Sequence, residues 1–476
     1  MSTAWRMACV ALVGIAAIAV APVRAATITI QVKDAAGEGF NDATPFTPIG
    51  GNNATTLGAA RLNVFREAAR LWGALINSSQ PIIVEASFDP LDCQANTGVL
   101  GSAGPVWMFH DFPNRPKANV FYAGPLAEAL AGSDLSQGLS DPADITASFN
   151  STINGTAGCL GGGYLYYGFD HQLTGHNDGR SYIADLLAVV LHELGHGLGF
   201  LSVVDSSGNG LQDSNKTPLL SAFDEQLYEE STAMYWPQMT AAQRAQSATG
   251  QPTGAALVWN GAHVNGNLGR MSAGLSAGGH LRMYAPTTFD ASSSVSHWDT
   301  SATPNLLMEP QYTSTTGNHA DLTTCALYDM GWTGNRCPDG VIASDSSVNA
   351  TAGTSTNITL KATDGNGDAL TYAIVANPAH GTLGAISGAV VAYTPSSGYT
   401  GDDTFTFRAS DALVSSNVAT VTVHVAAAST GGGSGGGGSG SSGGGSSGGG
   451  GGGALDGMVL ALLAGCRIAR ARSRRR

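Results

Sequence analysis

The chain is 476 residues long, with 22 Lys+Arg against 35 Asp+Glu, a net charge of −13, only 12% charged residues and 65 glycines. That length allows about two to four domains with ample core. The acidic balance excludes a basic nucleic-acid surface and disfavours anionic membranes.

Residues 1–25 read as a secretory signal: Arg6, an apolar run over 7–20 and Val23-Arg24-Ala25 as a cleavage site. The run is short for a membrane span. Residues 27–32 alternate like a first strand. Helical spacing follows over 61–76 (Leu62, Phe65, Ala69, Trp72, Leu75, Ile76). Strands are expected at 81–88 and 120–122, and an edge strand at 145–149. An extended peptide could pair with such an edge, although an ordinary structural strand explains the pattern equally well. A strand, a helix, more strands and then a strongly periodic helix make an α+β pattern.

That periodic helix is expected over 182–200, where Ile183, Leu186, Leu187, Val190, Leu191, Leu194 and Leu198 recur at steps of three and four. It carries His192-Glu193-Leu194-Gly195-His196. Residues four apart share a helix face, about 6 Å along the axis. Two neutral imidazoles so placed can share one Zn²⁺, and Glu193 beside the first can take a proton from water at the metal. Gly197 and Gly199 weaken the helix, and Gly199 suits a sharp exit.

A catalytic zinc usually has three protein ligands. A short-spaced third histidine would fall at position 202, which is Ser202, a poor ligand. Candidates are Asp205, Glu225, Glu229, Glu230 and the later histidines, with His297 set apart by its surroundings and His319 in reserve. Residues 204–290 lack strong periodicity. Asp205 to Asp213 is a loop of oxygen donors that could take Ca²⁺, a solvated turn being the simpler reading. A short helix is expected over 223–230.

Four elements together resemble the leishmanolysin-like metzincins. They are HExxHxxGF at 192–200, Ser296-His297-Trp298-Asp299, Leu307-Met308-Glu309-Pro310 and Asp329-Met330-Gly331-Trp332. The resemblance implies that a long insertion displaces the third zinc histidine, so that His192, His196 and His297 hold the metal. It makes Glu193 the general base and Met308 the methionine of the turn beneath the metal. The expected activity is zinc-dependent endopeptidase action on protein or peptide substrates by a catalytic domain at 26–338, acting as a monomer. Two other readings remain at this point: a surface adhesion protein with an inactive protease-like domain, and a zinc hydrolase acting on cell-wall material.

Short alternating strands at 357–362, 370–375, 390–394, 404–409 and 419–425 imply an all-β sandwich over 345–426. The segments "TDGNGDALTYAI", "PAHGTL" and "YTPSSGYTGDDTFTFRASD" resemble bacterial cadherin-like or Ig-like repeats of surface proteins. By that resemblance the domain spaces or targets the catalytic part, and Asp364, Asp368 and Asp411 are Ca²⁺ candidates. Residues 427–453 are a Gly/Ser linker. Residues 454–476 join a short apolar run to a cluster of arginines and resemble the Gly-Gly C-terminal sorting tails of Gram-negative bacteria. The expected destination is the cell surface or the medium. With both ends removed, Cys93, Cys159, Cys325 and Cys337 remain. Order in the chain favours Cys93–Cys159 and Cys325–Cys337 among three pairings.

Overall fold

The computed structural model describes residues 25–428, except 177, 251–255, 313–320, 335–336, 338–340, 365–368, 412–415 and 417, together with 467–468. The expected signal, the linker from 429 on and nearly all of the sorting tail lie outside the described residues, as do Asp368 and His319. Among the described residues no helix is long and apolar enough to cross a membrane.

The first strand, β1 (Ile28–Val32), leads to α1 (Leu57–Leu75), which starts four residues before the expected position. Thr56 caps it by accepting the Ala59 N–H at 3.3 Å. Strands β2 (Ile82–Asp89), β3 (Gly101–Pro105), β4 (Trp107–Phe109) and β5 (Val120–Ala123) follow, then α2 (Gly124–Ala131) and β6 (Ile145–Asn150). One sheet has the order β1-β2-β6-β3, parallel except for β3. The 145–149 strand is therefore interior, and the edge beside the histidine helix is β3. Its Gly-Ser-Ala-Gly-Pro sequence carries no β-branched or aromatic signal. Small residues are required there because a Cβ on Gly101 would meet the Phe149 ring at 2.8 Å and Glu193 Cγ at 3.2 Å.

The short β7 (Tyr164–Tyr166) pairs in parallel with β8 (Tyr182–Asp185), and α3 (Leu186–Gly197) follows directly. The helix thus begins four residues later than its apolar spacing suggests. Asp185 closes the strand and caps the helix, its Oδ1 accepting the Leu187 N–H at 2.9 Å. The exit is a glycine turn: Gly199 has φ 116°, and the Phe200 N–H reaches back to Gly195 O at 3.1 Å.

Beyond α3 the insertion builds β9 (Leu211–Gln212), β10 (Pro218–Ser221), β11 (Leu227–Glu229), β12 (Met234–Tyr235), α4 (Ala241–Ser247), β13 (Leu257–Trp259), α5 (Ala262–Asn265) and β14 (Leu281–Arg282). The helix expected over 223–230 is instead a single 3₁₀ turn at Asp224–Gln226 followed by β11. Pairing with β13 takes its backbone, and tertiary context overrides the local pattern. An aromatic cluster folds the insertion back onto the helix exit. Phe200 meets Phe223 and Trp298, each at 4.9 Å between centroids, and Trp259 bridges Phe223 at 5.0 Å and Trp298 at 5.7 Å. The last helix, α6 (Leu322–Met330), is capped by Asp321, and Trp332 Nε1 donates to Leu198 O at 2.9 Å.

Cys93 and Cys159 form a disulfide. Cys325 and Cys337 do not bond to each other: Cys325 is buried in α6, whereas Cys337 lies half-buried beyond its end.

The C-terminal region comprises β15 (Val341–Ala343), β16 (Ser346–Thr351), β17 (Thr356–Thr359), β18 (Ala362–Asp364), β19 (Thr371–Ala376), β20 (Gly381–Leu383), β21 (Val390–Pro395), β22 (Gly401–Ser410) and β23 (Ala419–Ala426). Two sheets, β16-β23-β22-β19 and β17-β21-β20, enclose a core of Ile358, Val391, Tyr393, Phe405, Phe407, Val421 and Val423. Four strands, β15, β16, β18 and β20, escape the sequence pattern because each is short or rich in small polar residues.

Candidate metal centre

Helix α3 is buried along its whole length, so every side chain on it must be accommodated by packing or hydrogen bonding. His192 and His196 share one face, and His297 arrives opposite them from the segment after the insertion. Their ligating nitrogens all lie within 4.8 Å of one another. All three residues are nearly or fully buried. Two features carry His297 there. The Ser202 N–H, at the position where a short-spaced ligand would fall, donates to Ser296 Oγ at 3.1 Å. The Trp298 indole packs in the aromatic cluster, and its Nε1 donates to Thr323 Oγ1 at 3.2 Å.

Each ring is oriented by a backbone carbonyl. His192 Nδ1 donates to Leu307 O, His196 Nδ1 to Phe200 O and His297 Nδ1 to Ser293 O, all at 2.7 Å. A carbonyl can only accept, so the proton of each neutral ring sits on Nδ1, leaving Nε2 as a bare lone pair. Burial pushes the His192 imidazole down to about 4 and His297 to about 3. Burial and the two neighbouring rings hold His196 well below its usual value. Neutral rings are the protonation state that binds a metal. His192 Nε2 and His196 Nε2 nevertheless approach to 3.1 Å, and the buried His297 Nε2 has no hydrogen-bond partner among the described residues. Lone pairs converging without a shared proton fit a cation between them. Bonds of roughly 2.0–2.1 Å in a tetrahedral site put ligand nitrogens about 3.3 Å apart.

Glu193 lies beside the first ring. The Ala103 N–H of β3 donates to its carboxyl, while Oε2 is buried without a partner among the described residues. Burial raises the group to about 8. Met308 packs from below, and a Cβ on Gly195 would meet its sulfur at 2.8 Å. The glycine between the two helical histidines lets the methionine turn approach that closely. The turn itself is pinned by two acids: Glu309 Oε1 accepts the Leu306 N–H at 2.7 Å, and Asp321 accepts the Leu307 N–H. Leu307 therefore joins Asp321, through its N–H, to His192, through its carbonyl. Sequence reasoning missed Asp321 and Asp185; an acid placed just before an apolar helical run was the available signal for both.

The other candidates stand apart. Asp205 caps its own turn through the Ser207 and Asn209 N–H groups, Glu225 pairs with Lys117, Glu229 is bound by Ser231 and Ser247, and Glu230 by His280. Asp364 ends β18 and Asp411 follows β22; neither belongs to a group of three ligating side chains among the described residues.

Residues 335–424 match the bacterial Ig domain family. The match covers the β-sandwich. No curated protein matches the chain. Among solved structures, the endo-fucoidan hydrolase MfFcnA4 from glycoside hydrolase family 107 is 25% identical over 19% of this chain and 13% of its own, with a TM-score of 0.16. A nucleoside hydrolase-related hypothetical protein from Saccharophagus degradans is 16% identical over 22% of this chain and 30% of its own, with a TM-score of 0.17. The chain thus spans about an eighth of the fucoidan hydrolase. Likeness at these TM-scores carries no argument about fold or activity.

Proposed function

We propose that the protein is an exported zinc-dependent endopeptidase of the leishmanolysin-like metzincin kind. The observation that carries this reading is the convergence of three Nδ1-protonated imidazoles, Nε2 atoms inward, beside a buried glutamate with one oxygen unpartnered. His192, His196 and His297 would hold the ion, which supplies Lewis acidity toward a peptide carbonyl when bound. Glu193 Oε2 takes the proton of the attacking water and returns it to the nitrogen of the leaving amine. The Ala103 N–H of β3 faces that carboxyl. Gly101 keeps the β3 edge tight against α3, where a substrate backbone can lie alongside it. The disulfide and the Ig-like domain both fit a protein working outside the cytoplasm.

The deciding experiment is casein or gelatin cleavage by the purified chain, with metal content measured in parallel. Cleavage should stop on chelation and return with Zn²⁺. Glu193→Ala should keep its metal and lose at least about a thousandfold in turnover, the scale of a general base acting with its metal. Full turnover in Glu193→Ala would overturn the mechanism.

A further inference from the structure

The Ig-like sandwich does not sit apart from the rest of the chain. Ala409 of β22 and Val341 of β15 belong to the main hydrophobic core, and Leu370, Tyr372 and Ala362 pack against it. Along β22, Phe405, Phe407 and Ala409 turn inward and Arg408 turns the other way. Arg408 lines a cleft of about 380 Å³ between β19 and β22 on one side and residues 169–172 on the other, with Asp170 and His171 facing it. Its Nε and Nη1 are sealed from solvent and find no hydrogen-bond partner among the described residues.

Across this cleft from the guanidinium, Asp170 and His171 stand next to the groups that hold the start of α3. Asp185 caps the helix through Oδ1, its Oδ2 meets His171 Nδ1, and its own N–H donates to the Tyr312 hydroxyl at 3.0 Å. Asp170 accepts from the Tyr166 hydroxyl at 2.5 Å and from the Gln172 N–H at 3.2 Å. A guanidinium with two nitrogens sealed from water is favoured by an anion facing it. Here the anion, Asp170, lies in the loop whose His171 meets the helix cap Asp185, and the cation belongs to the sandwich.

We infer that Arg408 is a positioning residue, by which the Ig-like domain fixes the first turn of the histidine helix, so that the domain is part of the working unit and no spacer. Its catalytic consequence rests on the endopeptidase reading; its structural consequence does not. The test is hydrogen exchange on the full chain at amides 186–192, comparing wild type, Arg408→Met and Arg408→Lys. Arg408→Met should exchange about tenfold faster there, a loss of local stability confined to that turn, and Arg408→Lys should recover most of the protection. In a peptide-cleavage assay Arg408→Met should lower kcat several-fold with KM unchanged. Wild-type exchange at 186–192 in Arg408→Met would overturn the inference. Should Arg408→Met also speed exchange in β23, showing damage within the sandwich, Asp170→Asn decides: it removes the facing anion without touching the sandwich. Asp170→Asn should show the same faster exchange at 186–192, and unchanged exchange there would equally overturn the inference. If the wild type cleaves nothing, the endopeptidase reading fails while the exchange result still stands or falls by itself.

Discussion

The imidazole of His192 is held by the carbonyl of Leu307, a residue whose N–H is held in turn by a carboxylate, and this indirect hold gives Asp321 its importance. Removing that carboxylate frees the Leu307 N–H in a buried turn, and the carbonyl that orients the ring shifts with it. Orienting partners of metal-binding histidines typically matter about 10–100-fold in metal affinity. Asp321→Ala is expected to weaken Zn²⁺ binding in that range while leaving His297 in place, as competition with a chromophoric chelator would show. Metal affinity equal to wild type would mean that the turn holds its shape without this contact. The three rings also set an acid limit. Their folded-state values are depressed, so the metal-free folded chain binds fewer protons than the unfolded chain between about pH 3 and the ordinary imidazole value near 6.5. Stability of the metal-free protein should therefore fall as pH drops through that window. His297→Gln should flatten the slope in urea titrations from pH 7 to 4, and an unaltered slope would contradict it.

Among the elements, α3 shows both the reach and the limit of sequence reasoning. Its HExxH spacing picks out the two histidines and the glutamate of the candidate centre at once, because the proposed chemistry needs those residue types one turn apart. Its start was misplaced because Ile183 fits a helical period and a strand equally well, and only the Asp185 cap separates the two. Asp185→Ala should destabilise the protein by about 1–2 kcal/mol, the usual worth of an N-cap with an added buried partner, measured by denaturant unfolding. A change below about 0.3 kcal/mol would show that the cap is redundant. The β3 edge was illegible for the opposite reason. Gly101 is dictated by close packing against Glu193 and Phe149, a tertiary requirement that leaves no alternating pattern. His297 was legible only through its neighbours: nothing in the spacing from His196 identifies it, whereas Trp298 and the Leu307-Met308 turn mark the segment that must return to the helix.

Across the whole molecule, buried acids far from the histidines also contribute to the alkaline side. Glu128 and Asp144 lie together, nearly inaccessible, and burial pushes both upward. Glu128 is held by the Leu135 and Ser136 N–H groups, and Asp144 by the Ile83 N–H. A raised carboxyl binds more protons folded than unfolded, so its contribution is complete at low pH and is lost as pH climbs above the ordinary carboxylate range. Wild type should lose about 2 kcal/mol more than Glu128→Gln between pH 5 and 9, read from urea midpoints. Equal losses would place the pair's titration elsewhere. One feature of the architecture bears on timing. His192, Glu193 and His196 are synthesised about a hundred residues before His297, which the aromatic cluster and the Ser202–Ser296 contact help to bring to them. Closing so long a span costs about 4 kcal/mol of chain entropy, and such distant contacts form late. On the proposed function, a growing polypeptide would carry two of its three ligands and no finished centre until the chain as far as His297 has emerged.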